Sequence, residues 1–195
     1  MGYTRVTITG FMALSLPPRG IEVVLLVLVL VAAMYDIRDR RIPNWLTVSG
    51  VLVGLALNSF LYQGWPGLRH GLLGLAMGFG FYFVLYALRA MGAGDVKLMA
   101  AVGSMVGWQN WFGIFIITAI FGGAAALVLV VFRGRVKRTL FNLGFILSEM
   151  KSGRPAYIGK EELDVRSPKA LGLPHGAVIA VGTIAFLILS AHLNP

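Results

Sequence analysis

Cysteine is absent from the 195-residue chain, which removes disulfides, thiol nucleophiles and thiolate-ligated metal centres at once. Histidine is scarce: His70, His175 and His192 stand apart, with no two at metal-ligand spacing, so neither a metal nor a cofactor is expected. Charge is scarce too. Asp, Glu, Lys and Arg make up 13% of the residues, about half their share in an ordinary soluble domain. Basic residues outnumber acids by 17 to 8 but are not interleaved with aromatics, so no nucleic-acid partner is expected. What the chain has in excess is apolar sequence: 57% hydrophobic residues and a mean hydropathy of +0.80, gathered in long runs. That pattern predicts an all-α polytopic membrane protein, with the lipid bilayer as its surroundings.

Residues 1–20 include Pro17-Pro18 and read as an N-terminal arm or interfacial segment. They do not read as a cleavable signal, because no small-residue cleavage site precedes Glu22. A membrane domain over 21–195 is predicted to hold six spans, at about 21–35, 45–63, 71–88, 96–106, 111–132 and 174–193. The first and fourth fall short of the ~20 residues that a crossing takes. Pro43 is placed to open the second helix, and "GWPGLRHG" and "GWQN" read as turns. The third span carries Gly71, Gly74, Gly78 and Gly80, small residues that let helix backbones approach closely in lipid. One long polar loop, 133–172, begins "RGRVKR". With six spans, 14 of the 17 Lys and Arg fall on the side of loops 36–44, 89–97 and 133–172. Basic loops mark the cytoplasmic side of a bacterial inner membrane, so both termini are expected outside.

Of the eight acids, four lie near predicted spans: Glu22, Asp36, Asp39 and Asp95. Glu22 sits at the outer end of the first span, where a helix N-terminus tolerates a carboxylate. Asp39 lies among Arg38, Arg40 and Arg41 and reads as solvated. Asp36 ends the first apolar run and, taken alone, reads as an interfacial carboxylate paired with Arg40 one turn on. Asp95 follows Gly92-Ala93-Gly94 and, taken alone, reads equally as the cap of a short helix after a glycine hinge. Two aspartates at one depth on one face shift the balance, because an ionisable group in membrane-embedded structure is a functional candidate. Brought within a few ångströms, two carboxylates share a proton, and such a pair can activate water and protonate a leaving amine. Lys97, two residues on, could hold its partner anionic, but is expected to meet lipid phosphate.

Asp36 followed by Ile42-Pro43-Asn44 and Leu46-Thr47, together with Gly92-Ala93-Gly94-Asp95-Val96-Lys97-Leu98, resembles the prepilin peptidases. These type IV leader peptidases are membrane aspartic proteases with a Gly-x-Gly-Asp motif. "LPHGAVIAVG" at the head of the last span is similar to the family's Pro-x-Gly element, with His175 a less typical residue. The resemblance covers roughly residues 21–193. It implies that Asp36 and Asp95 are the catalytic pair, with Gly92, Gly94, Lys97, Pro43 and Asn44 as supporting motif residues. It also implies prepilin-like precursors as partners, cut on the cytoplasmic side after a glycine that precedes the hydrophobic helix. Long members carry a cytoplasmic insertion with paired Cys-x-x-Cys motifs and N-methylate the new terminus. This chain lacks cysteine and resembles the short, peptidase-only forms associated with Flp-type pili. Two other readings of the residues stay open: a proton-coupled transporter with the aspartates as a relay, and a non-catalytic assembly subunit docking through loop 133–172.

Overall fold

The computed structural model describes residues 7–8, 12–13, 16–134, 136–151 and 173–193. In the N-terminal arm, Thr7–Ile8 (β1) pairs antiparallel with Met12–Ala13 (β2). The other regular structure among the described residues is helical: α1 (Arg19–Asp39), α2 (Asn44–Leu61), α3 (Trp65–Ala87), α4 (Ala93–Phe132), α5 (Val136–Lys151) and α6 (His175–Leu193). All but α5 are long and apolar enough to cross a membrane, so the chain is a multi-pass membrane protein. Their outer surfaces carry large exposed apolar side chains such as Phe60, Leu127 and Phe132, the surface that lipid tails require.

Helix boundaries follow local chemistry. α1 starts directly after Pro17-Pro18 and runs four residues past Tyr35, because its polar last turn stays helical until Arg40 takes a left-handed conformation (φ 54). At 21 residues it is a full crossing, longer than the 21–35 expected. Pro43 precedes α2 as its N-cap, as the sequence predicts. The segment "GWPGLRHG" is mostly helix rather than turn. Reversal is confined to Gln63 (φ 61) and Gly64 (φ 78), and Pro66 in the first turn of α3 is already set at a helical φ. Loop 133–172 is also not loop throughout, since α5 occupies 16 of its residues.

α4 is 40 residues long, about twice what one crossing takes, and it breaks at Gly107 (φ 75, ψ 171), a conformation that side-chain-bearing residues rarely adopt. Close approaches to α3 show what the break does. Gly74 lies against Gly103 and Gly107, whereas Gly78, one turn on, lies against Met99 and Trp111. As α3 advances, the arm 93–106 therefore retreats while the arm 108–132 advances, so the two arms run antiparallel. The predicted reversal at "GWQN" is thus present, at its first residue. A methyl at Gly74 would collide with the Gly103 carbonyl, so a glycine is needed at this crossing.

A broken helix orphans its last carbonyls, which lipid cannot satisfy. The fold supplies donors from neighbouring helices. Asn58 Nδ2, fully buried on α2, donates to the carbonyls of Ser104 and Met105, each at 2.8 Å. His70 on α3 hydrogen-bonds the Val106 carbonyl. Neither residue stood out in the sequence, where Asn58 lay in an apolar run and His70 was a lone histidine.

Candidate functional site

One end of the bundle collects the ends of four helices: the last turn of α1 and the starts of α2, α4 and α6. On α1, the buried stripe Ile21, Leu25, Leu28, Val29 and Ala32 continues one turn further to Asp36. Helical register therefore carries this carboxylate into the protein, and it is 8% exposed. Its Oδ2 accepts the Gly176 N–H from the first turn of α6 at 2.7 Å. This partner comes from α6, 140 positions along the chain. A first-turn N–H of α6 has no acceptor within its own helix, so the bond satisfies both groups.

Asp95 occupies the third position of α4, with Gly92 as the cap residue instead of Asp95 itself. Its Oδ2 reaches back to accept the Gly92 N–H at 3.3 Å, and the helix dipole favours a carboxylate in this first turn. Asp36 and Asp95 lie within electrostatic range of each other. Ile42 stands between the starts of α4 and α6. A methyl built on Gly94 would lie 3.3 Å from Ile42 Cβ, and one on Gly176 would lie 3.0 Å from Ile42 Cδ1 and 3.1 Å from Asp36 Oδ2. Gly94 and Gly176 thus let α4 and α6 close on one side chain of the α1–α2 connection.

Lys97 has a partner within the protein: its Nζ donates to Asn44 Oδ1 at 2.8 Å. The bond ties the start of α2 to the start of α4, joining two motif residues 53 positions apart. Pro43 precedes α2 and so presents Asn44 at the first helical position. Asp39 lies away from this cluster, half exposed beside Arg38 at 4.0 Å.

Two residues join the site that sequence reasoning passed over. Tyr82 of α3 is buried, lies within electrostatic range of Asp95, and packs edge-on against Trp111 and Phe115 of the second α4 arm. His175 packs 6.4 Å from the Tyr82 ring and feels the charge of Asp36. Its Nε2 is buried with no hydrogen-bond partner among the described residues. Position beside Gly176 was the available signal for His175; Tyr82 sits in an aromatic run that marks no single residue. Chemically, the cluster combines two carboxylates, each accepting a backbone N–H through one oxygen, with walls of aliphatic and aromatic side chains.

A model of the type IV leader peptidase family matches residues 23–127, which include Asp36, Ile42-Pro43-Asn44 and Asp95 but not α6. The chain is 30% identical over 109 residues to a prepilin leader peptidase/N-methyltransferase of Burkholderia pseudomallei, covering 52% of this chain and 34% of that one. It is 30% identical over 141 residues to a protein of the same description from Pectobacterium carotovorum (66% and 49%). With one from Escherichia coli it shares 29% over 119 residues (57% and 52%). The chain therefore spans between about a third and about half of the length of these curated relatives. No solved structure gives a significant match.

Proposed function

The chain belongs to the type IV leader peptidase family, and from that premise we propose that it is a membrane aspartic endopeptidase that removes the leader peptide of type IV prepilin-like precursors. The observation that supports the reading is that Asp36 and Asp95, from α1 and α4, lie within electrostatic range of each other at one end of the bundle. Asp36 and Asp95 are then the catalytic pair. One carboxylate takes a proton from water as the water oxygen bonds to the scissile carbonyl carbon. The other, protonated, donates its proton to the carbonyl oxygen. The first then passes the proton it took from water to the nitrogen as the C–N bond breaks, and the second regains its proton from the collapsing gem-diol. Gly176 N–H and Gly92 N–H hold one oxygen of each carboxylate. Ile42 and the Lys97–Asn44 bond keep the three motifs in register.

The same reading has the site at the cytoplasmic face of a bacterial inner membrane, supported by the share of basic residues on the side of the aspartates. Prepilin-like precursors of the Flp type, cut after a glycine that precedes their hydrophobic helix, are the substrates. The absence of cysteine sets the chain apart from forms that carry paired Cys-x-x-Cys motifs. The test is incubation of the detergent-purified chain with such a precursor, followed by N-terminal sequencing of the product. The expected new terminus lies immediately after the glycine. An untouched precursor, or a cut elsewhere, would count against the assignment. Because carboxylates move the protons in this scheme, cleavage is expected to survive strong chelation. A loss restored by added zinc would require another mechanism.

A further inference from the structure

Helix α5 (Val136–Lys151) is the one described helix that neither crosses the membrane nor borders the aspartates. Only residues 133–135 separate it from the second arm of α4. Three residues reach about 10 Å at most, so the start of α5 is held at the membrane boundary where that arm ends. Phe132, the last residue of the arm, is 86% exposed, and Gly134 turns the chain with φ 63.

In sequence, Val136, Leu140, Leu143, Leu147 and Met150 recur at the spacing of one helix face. Val136 and Leu140 open that row, and they are 41% and 63% exposed, so no described part of the protein covers it there. Phe141 and Phe145, off the row, are engaged in interactions of their own. Residues 133–151 also hold five Lys and Arg against one acid, Glu149. Arg133 and Lys137 are exposed on either side of the turn into α5.

Position and charge together identify what covers the row. A segment tethered at the bilayer boundary pays no further cost of association with that surface, whereas a soluble partner would have to be recruited. A basic amphipathic helix gains from acyl chains under its apolar face and from anionic headgroups beside its cations. We propose that α5 lies in the membrane interface and binds anionic phospholipid headgroups through Arg133 and Lys137, with Val136 and Leu140 turned to the acyl region. The surface stands apart from the aspartates and does not depend on the activity proposed for them.

The test uses the full, cysteine-free chain, with an environment-sensitive fluorophore on the Leu140→Cys variant and one copy per lipid nanodisc. Nanodiscs are made of phosphatidylcholine alone or of an equimolar mixture with phosphatidylglycerol. Quenching by a lipid-borne nitroxide is compared with quenching by aqueous iodide. Lipid quenching is expected to dominate in the mixed membrane and to weaken in phosphatidylcholine or high salt. Arg133→Ser and Lys137→Ser are each expected to lower the preference for the anionic membrane roughly fivefold. Dominant iodide quenching in both membranes would put α5 in solvent and overturn the proposal. Protection from both quenchers would mean that protein covers the row, which overturns it as well. Equal lipid quenching in the two membranes would remove the role of headgroup charge.

Discussion

Asp36 is the one ionisable residue on a stripe that α1 otherwise fills with aliphatic side chains, and Asp39, three residues on, is half exposed beside Arg38. Proximity in sequence therefore does not make the two equivalent. Asparagine keeps the shape of aspartate but cannot exchange a proton, so Asp36→Asn and Asp95→Asn are each expected to lower precursor cleavage by about 10²–10⁴. The double variant should be little worse than either single one, since a pair missing one member is already idle. Asp39→Asn should cleave nearly as wild type at matched enzyme levels. Near-normal cleavage by either single dyad variant would end the assignment, and a dead Asp39→Asn would force a different pair. Gly176 tests the same site from the α6 side. An added methyl would press on Asp36 Oδ2 and Ile42 Cδ1 at 3.0–3.1 Å, so something must shift by a few tenths of an ångström. Gly176→Ala is expected to slow cleavage roughly tenfold while the protein still inserts, since small misplacements at a reacting centre are costly. A rate equal to wild type would show that the contact with α6 does not position Asp36.

At the level of elements, the break in α4 is the feature on which the site depends. Arm 93–106 rises roughly 20 Å, less than the hydrocarbon thickness, and its far end must be closed inside a medium that offers no hydrogen bonds. Asn58 and His70 close it. Asn58→Ala leaves the Ser104 and Met105 carbonyls without that donor, at a cost of about 1–3 kcal/mol. A lower thermal midpoint in detergent is the readout, and an unchanged midpoint would show that the carbonyls find another donor. The apolar run around Asn58 was legible as a helix. Its role was not, because a cap for a broken helix becomes visible only when the helix being capped is next to it.

At the scale of the whole molecule, the antiparallel arms decide how many times the chain crosses. A straight α4 would span roughly 60 Å, about twice the hydrocarbon thickness. The break at Gly107 returns the chain instead. Gln63 and Gln109 are exposed at the end of the bundle opposite the aspartates, while Lys137 follows the second arm to the aspartate side. In the cysteine-free chain, Gln63→Cys and Gln109→Cys are expected to react with an impermeant maleimide from one side of the membrane, and Lys137→Cys from the other. Labelling of the Gln109 variant from the Lys137 side would refute the hairpin. α6 completes the arrangement as the most enclosed span, half buried against a third for α1, which is why its first turn can reach Asp36.

Membrane class, the number of apolar runs, the reversal at Gly107 and the two aspartates at the ends of such runs were determined by the sequence alone. Each is a local property of hydropathy, turn chemistry or charge. The tertiary structure alone decided which residues meet: Gly176 with Asp36 across 140 positions, Lys97 with Asn44 across 53, and Asn58 with Ser104 across 46. In a soluble helix the polar face reveals which side turns inward. In lipid the outer face is as apolar as the core, so rotation about each helix axis leaves little trace in hydropathy. Glycine contacts and a few buried hydrogen bonds set that rotation, and with it the site.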